Sequence, residues 1–196
     1  MKWNTLLTAV LLGVAIAAPG VHADDVPGVR GSYLRSIADV KDKIVSLAEA
    51  MPDKKYSWRP AKGVRSMSEV YAHVVLANYM LPSFAGAQMP ATITPELEKT
   101  LTEKPKVVAM LKDSFAHLEQ VITDMPDADL DKVVKTFLGD MPERDLFLLT
   151  VTHGHEHLGQ AIAYARMNGV TPPWTAAQDA KAKAHGEGDA KKEDAK

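Results

Sequence analysis

Between Asp24 and Thr175, apolar residues recur at steps of three and four along four separate stretches, each closed by proline or glycine. That is the period of an α-helix and not the two-residue period of a strand, so this region is expected to be all-α. The first stretch, Val29 to Met51, puts Leu34, Ile37, Ile44, Leu47 and Met51 on one stripe and ends at Pro52-Asp53. The second opens at Ser66-Met67-Ser68-Glu69, a capping-box pattern in which the Ser oxygen and the Glu carboxylate satisfy opposing orphan amides. It runs through Val70, His73, Val74, Ala77 and Leu81 to about Gly86. The third, from Pro105 to Met125, turns Val108, Leu111, Phe115, Leu118 and Ile122 inward and stops at Pro126, with a short helix from Thr94-Pro95 to Thr102 ahead of it. The fourth begins at Met141-Pro142-Glu143 and ends at Asn168-Gly169, beyond which Pro172-Pro173 bar continuation. Helices of about 20 residues each suffice for an up-down four-helix bundle, whose metal sites are built from inward side chains on facing helices. The stretch Asp127 to Asp140, with Val133-Val134 and Phe137-Leu138, fits a short helix, an extended crossover or both.

The two ends of the chain differ from this core. Residues 1–23 carry one Lys, then an apolar run from Leu6 to Ala18, then Val21-His22-Ala23, the pattern of a secretory signal peptide cut after Ala23. The run is short for a membrane span, so no stable span is expected after cleavage, and a periplasmic or secreted location follows. Residues 24–175 form the folded domain. From Ala176 to Lys196 no aromatic or large aliphatic residue is left to bury, and a disordered, solvated, charged tail is expected. A lone His185 there is at most a loose metal contact.

Composition narrows the chemistry. The 196 residues include no cysteine, which removes disulfides, zinc–thiolate sites and a cysteine nucleophile, and leaves His, Asp and Glu to hold any metal. The formal charge is −2, and loss of Lys2 with the signal segment makes it −3, so nothing favours nucleic acid as a partner. A small-molecule substrate or ligand is the expected partner, and a homodimer is left open.

The histidines separate by helical phase. On the fourth helix Leu146, Thr150, His153, His157, Gln160 and Tyr164 form one inward stripe, so His153 and His157 stack one turn apart, close enough to chelate one ion. His155 sits about 200° round from His153 and points elsewhere. His73 shares the inward stripe of the second helix with Val70, Ala77 and Leu81. Three imidazoles in an apolar core are costly unless paired, whereas a divalent ion takes a lone pair from each and leaves their N–H groups for acceptors. The alternative is that each is a hydrogen-bonded core residue. His117 lies off the stripe of its helix and is assigned to the surface. Glu69, one turn before His73, and Gln160 are candidates to support the ligands or accept a proton, although capping already accounts for Glu69. Glu156 completes an H-x-x-E-H string, the pattern of inverted zinc peptidases, but that chemistry needs a downstream carboxylate ligand and only tail residues such as Glu187 and Glu193 follow.

Three blocks carry a resemblance: Trp58-Arg59-Pro60 followed by Val64 to Val70 and His73; His153-Gly154-His155-Glu156-His157-Leu158-Gly159-Gln160; and Tyr164-Ala165-Arg166 with Gly169-Val170-Thr171-Pro172-Pro173-Trp174. From about Leu34 to Trp174 the chain resembles the DinB/YfiT-like superfamily of four-helix-bundle metalloproteins. The resemblance implies one divalent metal held by His73, His153 and His157. The chain departs from the pattern at Leu158, where the family often carries Arg. Some members of the family are thiol-dependent transferases or isomerases and others are called hydrolases. Export separates this chain from a reduced thiol pool. The expected function is therefore that of a metal-dependent hydrolase or transferase of a small molecule, with a non-catalytic metal- or ligand-binding bundle, or one merely secured by its metal, as the alternative. Three imidazoles suit Zn, Ni or Fe, as well as Cu.

Overall fold

The computed structural model describes residues 25–193; the expected signal segment, 1–23, lies outside them. Four long helices form the body: α1 (Gly28–Ala50), α2 (Met67–Ser83), α4 (Lys104–Asp124) and α5 (Glu143–Met167), with a four-residue α3 (Leu97–Thr100) between α2 and α4. Their limits fall close to those set by periodicity and caps. The Ser66 box forms as expected, the Ser66 hydroxyl accepting from the Glu69 amide and the Glu69 carboxylate from the Ser66 amide. Pro105 sits in the first turn of α4, where its missing N–H costs nothing.

Each helix buries one stripe. Leu34, Ile37, Ile44 and Leu47 of α1 meet Leu111, Phe115, Leu118 and Ile122 of α4 in a common core. On α4 the deeply buried first-turn residue is Val107, with Val108 half-buried, a shift of one position from the expected stripe. The 4-4-3-4 spacing from Val107 through Leu111, Phe115, Leu118 and Ile122 keeps that face continuous.

The helices do not alternate in direction, which corrects the expected up-down order. Pairings of Arg30 with Thr123, Lys41 with Glu119 and Glu49 with Lys112 make α1 and α4 antiparallel. Tyr33 bonded to the Arg144 carbonyl and Val40 against Gly154 make α1 and α5 parallel. His73 meets His153 while Ala77 and Leu81 share a cluster with Leu146, so α2 is antiparallel to α5 and therefore parallel to α4. Both α1 and α2 pack on α4 and α5, which puts α1 and α2 at opposite corners. Parallel neighbours joined in sequence need a crossover, and residues 84–103 supply it by returning along the bundle. Periodicity specifies which face is buried and is silent on direction, so the sequence pattern could not distinguish the two arrangements.

Two further elements accompany the bundle. The segment after α4, open between a short helix, an extended crossover and both, combines a short helical turn with extended chain: a 3-10 turn at Asp127–Asp129 leads into a hairpin of β1 (Val133–Thr136) and β2 (Gly139–Pro142), antiparallel with Thr136 opposite Gly139. The domain is thus all-α apart from one hairpin. Beyond α5, helix α6 (Pro173–Glu193) replaces the expected disordered tail. Its residues 176–184 are exposed, as the lack of apolar side chains required, but Ala, Lys and Gln there are strong helix formers. Buried Pro172 and half-buried Trp174 tie its start to the core. Among the described residues no helix is long and apolar enough to cross a membrane.

Candidate metal centre

Antiparallel packing of α2 on α5 brings His73 opposite the His153–His157 pair. The His73 and His153 Nε2 atoms lie 3.1 Å apart, and one ring nitrogen from each of His73, His153 and His157 falls within 4.8 Å of the others. Ring centroids are 4.4 to 5.0 Å apart, with interplanar angles of 50 to 77°. Two imidazoles bound tetrahedrally to one ion at about 2.0–2.1 Å would have nitrogens about 3.3 Å apart, close to the His73–His153 spacing. The donor set therefore fits a divalent cation. His157 is buried, and His73 and His153 are half-buried.

The outer nitrogens of two rings are already engaged. His73 Nδ1 lies 2.6 Å from Glu98 Oε1. An ionised carboxylate only accepts, so Nδ1–H donates, which in the neutral ring leaves the Nε2 lone pair to the cluster. Burial alone would raise the Glu98 pKa, but hydrogen bonds from Arg65 and His73 outweigh it and hold the carboxyl below its ordinary value. Arg65 grips both Glu98 oxygens, at 2.8 and 3.3 Å. His157 Nδ1 donates to Gln160 Oε1 at 2.9 Å, and Gln160 Nε2 donates to the Tyr164 hydroxyl at 3.2 Å. Trp58 packs edge-on against the Tyr164 ring at 5.4 Å. These contacts set tautomer and ring orientation, as outer partners do for metal-binding histidines.

The two α5 rings are held neutral. Burial, then the neighbouring His157, His73 and Arg65 charges, push the His153 pKa down to about 3. Burial also lowers that of His157, against an opposing hydrogen bond to Gln160. Neutral imidazole is the form that donates a lone pair, so the environment favours ligation at neutral pH.

The other sequence candidates separate cleanly. Gln160 stands where the stripe put it. Glu69 does not reach the histidines: its carboxylate accepts from the Ser66 amide, Lys99 and Arg59. Burial opposes its ionisation, but those donors prevail and lower its pKa to about 2. His155 is exposed, its Nδ1 donating to the Val151 carbonyl, and Glu156 is exposed too. His117 is not at the surface as expected. It is half-buried on the α2–α4 seam, stacked on Tyr79 at 4.7 Å, and its buried Nε2 has no hydrogen-bond partner among the described residues. Sequence reasoning missed Glu98 and Arg65. Glu98 falls on the anticipated short helix, but a lone carboxylate on a surface turn carries no periodic signal, and only the crossover brings it to His73.

Two imidazoles from α5 and one from α2, meeting inside a four-helix bundle, define a bundle with an internal metal-type donor cluster. The chain belongs to the DinB superfamily, which its residues 37–161 match, a span containing all three histidines. No curated protein sequence matches it. Among solved structures it is similar to a DinB-like protein from Bacillus cereus ATCC 10987, at 20% identity and a TM-score of 0.65, over 74% of this chain and 95% of that one. It is also similar to YfiT from Bacillus subtilis, described as a probable metal-dependent hydrolase with an unusual four-helix bundle topology, at 12% identity and a TM-score of 0.59, over 81% and 97%. A mycothiol-dependent maleylpyruvate isomerase matches at 14% identity and a TM-score of 0.51, over 71% of this chain and 62% of that one. At such identities these likenesses concern the fold.

Proposed function

We propose that this is an exported DinB-superfamily protein that binds one divalent metal through His73, His153 and His157 and acts as a metal-dependent hydrolase or transferase of a small molecule. The observation that carries the reading is the convergence of three imidazoles, two of them held by Glu98 and Gln160 through the nitrogen that faces away from the cluster. The bound ion would supply Lewis acidity, polarising a substrate oxygen or making a water nucleophilic. The chain's own part is to present three lone pairs, keep His153 and His157 from protonating, and fix the ring planes through the Glu98–Arg65 and Gln160–Tyr164–Trp58 chains. YfiT's description as a probable metal-dependent hydrolase supports the hydrolase arm, and the isomerase neighbour supports transfer chemistry on the same fold.

A catalytic role is favoured over a purely structural one because the cluster is not sealed. A 270 Å³ cavity reaches His73 and His153 from the side of the hairpin. The test is elemental analysis of natively purified protein followed by an ester, amide and thiol-transfer panel. About one divalent ion per chain with chelator-sensitive turnover supports the reading. One ion with no turnover, and thermal stability collapsing on chelation, would establish a structural metal instead.

A further inference from the structure

The two sides of the histidine cluster differ in chemistry. On the Gln160 side the surface is charged, with Arg65 paired to Glu98 and both Arg59 and Lys99 paired to Glu69. On the other side the 270 Å³ cavity has no charged side chain in its wall. His73 and His153 line it together with Met80, Leu149 and, from the hairpin, the exposed Phe137 and Leu138.

The hairpin tip is unusual for its position. Thr136 pairs with Gly139, so Phe137 and Leu138 are the two loop residues. Two-residue hairpin loops ordinarily take Asn-Gly or similar pairs in primed turns with positive φ, yet here neither residue has positive φ, and both are large and apolar. They are 64% and 59% exposed, and only Phe137 has a ring neighbour, Phe84 at 5.8 Å. Turn geometry does not call for these side chains, and exposure makes them unfavourable in water. Both facts are explained if the residues cover an apolar group lying between them and the histidines.

Building on the metal-centre reading, we propose that this cavity is the apolar subsite of the substrate: it takes a phenyl-sized or short alkyl group whose attached polar reacting group reaches His73 and His153, with Phe137 and Leu138 closing over it. A dry cavity of about 150 Å³ accommodates benzene, so 270 Å³ admits one ring or a short chain and little more. The substrate class is thus a small molecule with an uncharged apolar end next to the group acted upon, its polar remainder directed to the Arg65 side.

The test compares two hydroxamates on zinc-loaded full-length protein by calorimetry. Acetohydroxamate and benzohydroxamate share a chelating group and differ in methyl against phenyl. Benzohydroxamate is expected to bind at least about ten-fold more tightly, since the ring leaves water on entering the cavity. In Phe137→Ser and Leu138→Ser, exposed positions whose change leaves the core intact, that ratio should fall toward unity while acetohydroxamate affinity holds. Fluorobenzene added to metal-free protein probes the cavity without an ion, and the Leu138, Leu149 and Met80 methyl resonances should shift. If fluorobenzene shifts them and neither hydroxamate binds, the metal reading fails and the apolar subsite survives. Equal hydroxamate affinities with no fluorobenzene shifts would overturn the subsite and leave the metal reading standing. A ratio unchanged in both variants, together with loss of a concentration-dependent dimer in sedimentation, would show that the tip covers a second copy of the chain and would also overturn the proposal.

Discussion

Glu98 Oε1 approaches His73 Nδ1 to 2.6 Å across the crossover between α2 and α4, while Arg65 holds both oxygens of the same carboxylate. One acidic residue therefore fixes the tautomer of the only histidine of the cluster that lies outside α5. The pair gives the two-way path of the chain a chemical consequence: without the return through residues 84–103, His73 would lack its acceptor.

Replacing Glu98 by Ala is expected to weaken zinc binding by about 10- to 100-fold, the usual cost of losing an outer partner of a ligating imidazole. Glu98→Gln keeps an acceptor without the charge and should lose less. Chelator competition on both variants measures the difference; equal affinity in Glu98→Ala and wild type would remove Glu98 from the site.

His153→Ala and His157→Ala should each reduce bound metal from about one ion per chain to a trace, because each removes one of only three donors. His155→Ala, which alters an exposed ring bonded to the Val151 carbonyl, should keep full occupancy. Elemental analysis of the three proteins decides this, and retention in both α5 variants would sink the ligand assignment.

Acidification should expose the Glu69 network. Its folded pKa of about 2 is below the ordinary 4.5, so its stabilising contribution is complete above about pH 4.5 and is lost as pH falls through 2. Glu69→Ala also breaks the capping box and should cost about 1 kcal/mol or more at neutral pH. Urea midpoints measured between pH 2 and 7 should show a flatter acid limb in the variant than in the wild type.

His117→Phe is expected to stabilise the fold by about 1 kcal/mol, since it keeps the stack on Tyr79 and removes a buried ring nitrogen without a partner. Burial lowers the His117 pKa, so the wild type binds fewer protons there when folded and loses stability as pH drops below the unfolded value near 6.5. The gain from the variant should therefore widen between pH 6.5 and 5, as thermal melts in that range would record.

Gly154 of α5 packs against α1, where an added Cβ would sit 3.2 Å from Val40 Cγ1. A valine there adds bulk to a tightly packed seam and should destabilise by about 1–3 kcal/mol. Equilibrium denaturation of Gly154→Val checks it; unchanged stability would mean that the seam yields.

Much of this protein is written in local sequence. Helix limits, the Ser66–Glu69 box, the burial of Leu111, Phe115 and Leu118, and the placing of His153 and His157 on one face apart from His155 all follow from a 3.6-residue period, which acts within a few turns. Local pattern also read α6 as solvated, though it underrated the helical tendency of an Ala- and Lys-rich segment. What it could not contain is the order in which faces meet. That α2 runs beside α4 in the same direction, that Glu98 reaches His73, that Glu69 is drawn away to Lys99 and Arg59, and that Phe137 and Leu138 stand over the histidines are all results of chain path. Periodicity tells a residue to turn inward; only the packing of whole helices, set by their summed surfaces and the lengths of the connections between them, chooses what it finds there.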